Sequence, residues 1–154
     1  METINFTRGV PANESFPLEE VAAAAIDALK ARGPAMLQYG PSAGFQPLRE
    51  WIAQWQGVTA DRVLTGNGSL QLVEFLCLGL LKPGDVVFTE NPTYDRTITM
   101  LRRHGVQVVG IQLDADGPNL ATLEAAIAKH APKVFYVIPD FQNPSGTTCS
   151  GAKR

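Results

Sequence analysis

Three short polar segments hold the residues whose types and spacing suit chemistry. The first is Thr65-Gly66-Asn67-Gly68-Ser69-Leu70-Gln71, set between an apolar lead-in, Arg62-Val63-Leu64, and a long apolar run from Leu70 to Leu81. The pattern is strand, tight turn and helix start. The first N–H groups of a helix have no intrahelical acceptor, and with the helix dipole they attract an anion, often a phosphate. Gly66 and Gly68 let the main chain approach such a ligand without a Cβ in the way, and Ser69 can cap the helix and donate its hydroxyl. The spacing is not G-x-G-x-x-G, and no Gly-Lys-Ser/Thr follows as in a Walker loop. By itself the segment is also compatible with an ordinary serine-capped strand-to-helix connection.

The second segment, Glu90-Asn91-Pro92-Thr93-Tyr94, offers an aromatic face just after an apolar run. The third, Gln142-Asn143-Pro144-Ser145-Gly146, offers the Asn143 amide beside a proline. Singly, Tyr94 also fits a core tyrosine that opens a helix, and Asn143 a turn residue. Together the three segments supply what an aromatic ring carrying a phosphate and a hydroxyl would use.

The elements that must position them follow from periodicity. Pro17, then Glu19 and Glu20, suit the first turn of a helix whose apolar residues Leu18, Val21, Ala22, Ala25, Ile26 and Leu29 recur at helical spacing. Gly33-Pro34 is expected to end it. Residues 37–44 are too rich in turn formers to be regular. A second helix carries Leu48, Trp51, Ile52 and Trp55 on one face, with the tryptophans expected in core or interface packing. Strand 62–65 then leads to helix 69–81, which is apolar nearly all round and so expected to be buried. A turn at 82–85, strand 86–89, a helix to about His104, strand 107–112, a turn at 114–118, a helix 120–130 capped by Asn119 and strand 133–138 complete the order. This alternation predicts an α/β fold, three-layered, with a mostly parallel sheet. Ligands of such sheets bind beyond the carboxyl ends of the strands, where all three polar segments fall.

Composition bounds the function classes. With 154 residues, 45% hydrophobic and 18% charged, the chain can build an ordinary core. The net charge of −2 comes from interspersed residues, so no basic stripe points to nucleic acid. No apolar run reaches membrane-spanning length, and no secretory signal opens the chain. Cys77 and Cys149 have no neighbours at metal-ligand spacing, and the simpler expectation is a reduced pair in the cytoplasm. His104 and His130 fall at predicted helix ends and are expected to be structural, with no metal site. Residues 1–17, punctuated by Gly9, Pro11, Asn13 and Pro17, are expected to form an extended arm ahead of the domain at 18–154.

Five motifs in order, Gly9-Val10-Pro11 with Phe16-Pro17, Gln38-Tyr39-Gly40-Pro41-Ser42-Ala43-Gly44, Thr65 to Ser69, Glu90 to Tyr94 and Gln142 to Gly146, resemble class I/II aminotransferases of pyridoxal phosphate fold type I. The subgroup they most resemble is the 2-aminoadipate and kynurenine aminotransferases with the related MocR regulators. The likeness runs over essentially the whole chain. It implies pyridoxal 5′-phosphate as cofactor, amino acid and 2-oxo acid as substrates, and a homodimer in the full-length protein. It implies that Gly68, Ser69 and Leu70 hold the cofactor phosphate, that Tyr94 stacks on the pyridine ring and that Asn143 bonds the ring's 3-oxygen. It also implies that Gly9 lies beside the substrate, with Arg8 near it, and that Tyr39 reaches the partner subunit's site. The third motif has Pro-Ser-Gly where the family often has Pro-Thr-Gly, which leaves the asparagine role intact.

The family's Schiff-base lysine, the acidic partner of the pyridine nitrogen and the substrate-carboxylate arginine lie later than the asparagine motif. Lys30, Lys82, Lys129, Lys133 and Lys153 do not stand in the family's Ser-x-Lys context. The resemblance therefore implies an N-terminal portion of the cofactor-binding large domain, inactive alone, with no catalytic residue in this chain. The alternatives that remain are the effector-sensing domain of a MocR-type regulator and a lyase of the same fold. A nucleotide-binding α/β domain unrelated to this family is a further one.

Overall fold

A computed structural model describes residues 11–154. The chain divides into two compact units, the first ending at Thr65 and the second running Gly66–Arg154.

The first unit holds two helices, α1 (Leu18–Met36) and α2 (Gln46–Gln56). Glu19 and Glu20 sit in the first turn of α1, after Pro17, where the dipole favours anions. The expected stop at Gly33-Pro34 is instead a kink. Helical structure runs on to Met36, but Arg32 leaves helical geometry at φ −144° and ψ 17°. A proline inside a helix removes a donor and crowds the carbonyl four residues back, and here the chain yields just before it. Pro47 lies in the first turn of α2, and Gly57 closes that helix, its N–H donating to Ala53 and Gln54 carbonyls.

Residues 62–65, expected as a strand, are not one. A short 3-10 turn, Ala60–Arg62, is followed by an extended Val63. Among the described residues no strand pairs with this stretch, and an extended backbone without a ladder partner is not a strand. Arg49 holds it instead: Nε donates to the Val63 carbonyl at 2.7 Å and Nη2 to that of Ala60 at 2.6 Å. The Trp51 and Trp55 rings lie 5.6 Å apart and are both exposed, so they are not core residues here.

The second unit contains α3 (Ser69–Leu80), β1 (Val86–Asn91), α4 (Asp95–Arg103), β2 (Gln107–Asp114), β3 (Gly117–Pro118), α5 (Leu120–Lys129) and β4 (Pro132–Tyr136). The sheet order is β3-β2-β1-β4. β1 runs parallel to both β2 and β4, as the alternating pattern requires. The turn expected at 114–118 is tighter than expected: β3 folds back antiparallel on β2, pairing Leu113 with Pro118 and Asp114 with Gly117. Asn119 caps α5 as expected, its side chain accepting from the Thr122 N–H at 2.8 Å.

Successive β1 residues face opposite sides of the sheet and build two helical layers around it. Val87 packs with Cys77 of α3, Leu101 of α4 and Val106. Phe88 meets Phe135 and His130 edge-on, at 6.2 and 6.4 Å between ring centres. His130 is the C-terminal cap residue of α5. His104 caps α4 and sits 3.0 Å from Glu74 of α3. Both histidines thus hold helix ends, as the sequence suggests. α3 departs from its expectation: Cys77 is its one buried residue, while Phe75, Leu76, Leu78 and Leu80 are exposed. Within the described residues, only one side of this apolar helix is covered.

Both cysteines are free thiols, Cys77 buried and Cys149 partly so. Burial, with the nearby Glu74 carboxylate adding to it, pushes the Cys77 thiol above its ordinary range. Iodoacetamide at neutral pH is therefore expected to alkylate Cys149 first. Cys77 should react only in denaturant, as followed by intact mass and peptide mapping; equal rates for both would contradict this packing.

Candidate functional site

β1 and β4 are adjacent and parallel, so the segments that leave them, 90–94 and 139–146, open on one edge of the sheet. α3 packs against β1 and is joined to it by the short turn at 81–85, so it runs back along the sheet and its N-terminus lies at that same edge.

The start of α3 is an open cradle. Gly68, not Ser69, is the N-cap residue, at φ +88° and ψ 161°, a backbone that only glycine adopts without strain. Ser69 is the first helical residue, which corrects its expected capping role. No side chain caps this helix. A Cβ on Gly68 would meet nothing within 4 Å, so the space before the helix is free. Gln71 winds the preceding turn: its Oε1 accepts from the Asn67 N–H at 2.7 Å. Gly66 is held close, since a Cβ there would lie 2.8 Å from Leu72 Cδ2. Gly68, Ser69 and Leu70 are exposed at this uncapped helix start, a position of the kind that attracts an anion.

The other two segments are joined by a buried clasp. Glu90 ends the run of buried β1 residues and is 3% exposed; Gln142 is 2% exposed. Gln142 Nε2 donates to Glu90 Oε2 at 3.0 Å and to the Pro92 carbonyl at 2.8 Å. The Ile138 N–H donates to the same carboxylate oxygen at 3.1 Å. Gln142 Oε1 accepts from the Ser145 N–H at 2.9 Å and from the Ser145 hydroxyl at 2.7 Å. A carboxylate and an amide this deeply buried need such partners. Around the clasp, Tyr94 is the half-buried N-cap residue of α4, and Asn143 is exposed.

Gly68, Ser69, Leu70, Tyr94 and Asn143 therefore all belong to the second unit and to one sheet edge. Tyr39 belongs to the first unit and is fully exposed, with its N–H on the Gln38 side chain. Gly9 and Arg8 lie outside the described residues. The residues that sequence reasoning passed over are Glu90, Gln142 and Gln71. A signal existed for the first: a glutamate that directly follows Val86-Val87-Phe88-Thr89 must have its charge met inside the fold.

The chain beyond the third segment, residues 149–154, is pinned to the β2–β3 hairpin and to residues 139–140. Lys153 Nζ lies 2.7 Å from both Asp114 Oδ2 and Asp116 Oδ1. The Ser150 N–H donates to the Asp116 carbonyl at 2.9 Å, and that of Cys149 to the Pro139 carbonyl at 2.7 Å. Arg154 pairs with Asp140. The hydrogen bond from Lys153 holds Asp114 below the usual carboxylate range, with Asn119 adding to it, and lowers Asp116 in the same way. The Asp114 and Asp116 carboxylates in turn raise Lys153. A lowered aspartate stabilises above its unfolded pKa and loses that contribution as pH falls through the folded value; a raised lysine loses its own as pH climbs through its folded value. The tail should thus stay attached through the neutral range and detach at both extremes. Amide exchange at Ser150, Lys153 and Arg154 should rise relative to β1 below the ordinary aspartate range, and Lys153→Met should raise it at neutral pH. Unchanged exchange in that variant would show that the backbone bonds alone hold the tail.

The fold is an α/β domain whose three polar segments share one edge of a mostly parallel sheet. The profile of the aminotransferase class I and II family matches residues 2–153. The chain is 38% identical to the 2-aminoadipate transaminase of Thermus thermophilus over 93% of its own length and 36% of that protein's. It superposes on the crystal structure of LysN, the α-aminoadipate aminotransferase of Thermus thermophilus complexed with N-(5′-phosphopyridoxyl)-L-leucine. The TM-score is 0.87 at 37% identity, over 94% of this chain and 37% of that one. It is also 29% identical, over 79% of its length and 26% of the relative's, to the uncharacterized HTH-type transcriptional regulator YisV of Bacillus subtilis. The chain belongs to the aminotransferase class I and II family. It spans little more than a third of the length of the aminotransferase relative and of the solved structure described here.

Proposed function

We propose that residues 1–154 are the cofactor-seating part of a pyridoxal 5′-phosphate-dependent aminotransferase that moves an amino group from an amino acid to a 2-oxo acid. The observation that carries this reading is the open N-terminus of α3 on the same sheet edge as the clasped Tyr94 and Asn143 segments. The residues fit the group: a dianionic phosphate suits the uncapped N–H groups and the glycine cradle. When bound, the cofactor supplies the electron sink that lets a bond at an amino acid's α-carbon break. Gly68, Ser69 and Leu70 would hold its phosphate through their N–H groups, with the Ser69 hydroxyl assisting. Tyr94 would cover one face of its ring and exclude water there. Asn143 would donate to its 3-oxygen. Gly9 and Tyr39 would contribute to substrate binding, Tyr39 across a homodimer. The lysine that binds the cofactor covalently would lie beyond these 154 residues, and a cytoplasmic enzyme is the setting proposed.

A second reading is the effector-sensing domain of a regulator, favoured by the likeness to the HTH-type protein above. It uses the same site, and DNA binding by the full-length protein would mark it. A lyase of the same fold is a third outcome, revealed by the products formed from amino acid substrates.

The test for these residues is 4-deoxypyridoxine 5′-phosphate, which keeps the ring, 3-hydroxyl and phosphate but has no aldehyde to react with surface lysines. Equilibrium dialysis should show binding that AMP does not match. Tyr94→Ala and Asn143→Ala should each weaken it about three- to tenfold, the worth of one stacking contact or hydrogen bond. Equal affinity for AMP, or no response to either substitution, would overturn the assignment. With pyridoxal 5′-phosphate itself, the 154-residue chain is expected to show no transamination. Turnover, with borohydride trapping the cofactor on one of its lysines, would refute the placing of the catalytic lysine elsewhere.

A further inference from the structure

We infer that Gln142 and Glu90 are positioning residues for the ring end of this site, setting Asn143 and Tyr94 relative to one another. The inference rests on the cofactor reading above and deepens it. Asn143 is exposed, so packing alone does not fix it. The residue before it is the opposite: every polar group of the Gln142 side chain is engaged. Its N–H groups reach Glu90 and the Pro92 carbonyl, and its oxygen takes both Ser145 donors. Its backbone N–H also donates to the Thr147 carbonyl at 2.9 Å. Pro92 lies two residues before Tyr94, so one side chain ties the segment carrying the amide to the segment carrying the ring face.

Glu90 makes the tie directional. Its Oε2 takes donors from Ile138, two residues past β4, and from Gln142 further along that loop. The carboxylate is fixed at the end of the most buried strand, and the loop is oriented against it. A buried ion–amide pair adds little net stability compared with apolar side chains of similar size, so its value here is orientation. If Gln142 loses its amide, Asn143 and Tyr94 keep their identity but lose their register.

Binding of 4-deoxypyridoxine 5′-phosphate to the 154-residue chain tests this, read both as affinity and as the ligand's absorption spectrum, which reports the charge on its 3-oxygen. Gln142→Glu keeps the acceptor for Ser145 but sets two carboxylates together; Glu90→Gln keeps shape but removes the charge. Each is expected to lower affinity about tenfold, as loss of a group that orients a binding residue does, and to shift the spectrum in the same direction as Asn143→Ala does. The exchange variant carrying both changes restores an amide donor facing a carboxylate, and leaves the Pro92 carbonyl without its donor and the Ile138 N–H without the oxygen it shares with Gln142. It should bind more tightly than either single variant and move the spectrum back toward that of the wild type.

Hydrogen exchange separates misfolding from a lost clasp. The clasp alone governs protection at the Ile138 and Ser145 amides, whereas unfolding exposes the β1–β2 amides too. Single variants that lose Ile138 and Ser145 protection yet bind like wild type would overturn the inference, as would an exchange variant that is well folded and binds no better than the singles. If a single variant unfolds, the exchange variant against wild type carries the test, and weak binding with intact β1–β2 protection counts against the inference. Asn143→Ala with wild-type affinity and spectrum would instead sink the cofactor reading itself.

Discussion

Glu90 sits where a charge is hardest to keep. It is the last buried residue of the central strand, after Val87, Phe88 and Thr89, and there it must remain solvated without water. The fold meets this need with the Ile138 N–H, two residues past the end of β4, and the Gln142 amide further along the same loop. That requirement links two strand ends separated by a full helix–strand–helix crossover in the sequence. The polar edge of the sheet depends on it, because the Gln142 amide ties the loop after β4 to the Pro92 carbonyl in the loop after β1.

The open start of α3, proposed above as the phosphate site, is built on a different principle. It uses no buried side chain at all. Its donors are main-chain N–H groups that every helix start leaves without intrahelical partners, and its shape comes from a glycine at positive φ and a Gln71 side chain that curls the turn. One end of the candidate ligand would thus meet rigid backbone and the other end side chains on loops that need an internal brace. A phosphate tolerates any arrangement of converging donors, whereas a planar ring with one hydroxyl requires its partners in register. The brace lies at the ring end, where register matters.

Much of this was legible in the linear chain. The second unit's elements follow from helical and strand periodicity, and Asn119 marks a helix start at the place where the backbone changes course. Other features were not. Residues 62–65 have strand composition, but a strand exists only with a partner, and composition carries no information about pairing. α3 is apolar enough to be called buried, yet burial belongs to what surrounds a helix. Ser69 was expected as the cap because serine favours that position, and the left-handed backbone of Gly68 displaced it by one residue. The kink at Arg32 shows a proline bending a helix where its sequence context suggested an end.

The sequence by itself determined the order of elements, the glycines that keep the α3 entrance open, and the three polar segments with their chemistry, because local periodicity and conformational preference act over a few residues. Only the tertiary structure decided that Glu90 and Gln142 are one unit. Their contact spans 52 positions, and it exists because parallel pairing of β1 with β4 brings those two strand ends side by side at a depth where a carboxylate must be bonded. The turn that leads into α3 gains its place in the same way: the packing of that helix against β1 sets its open amides on the sheet edge that carries Tyr94 and Asn143.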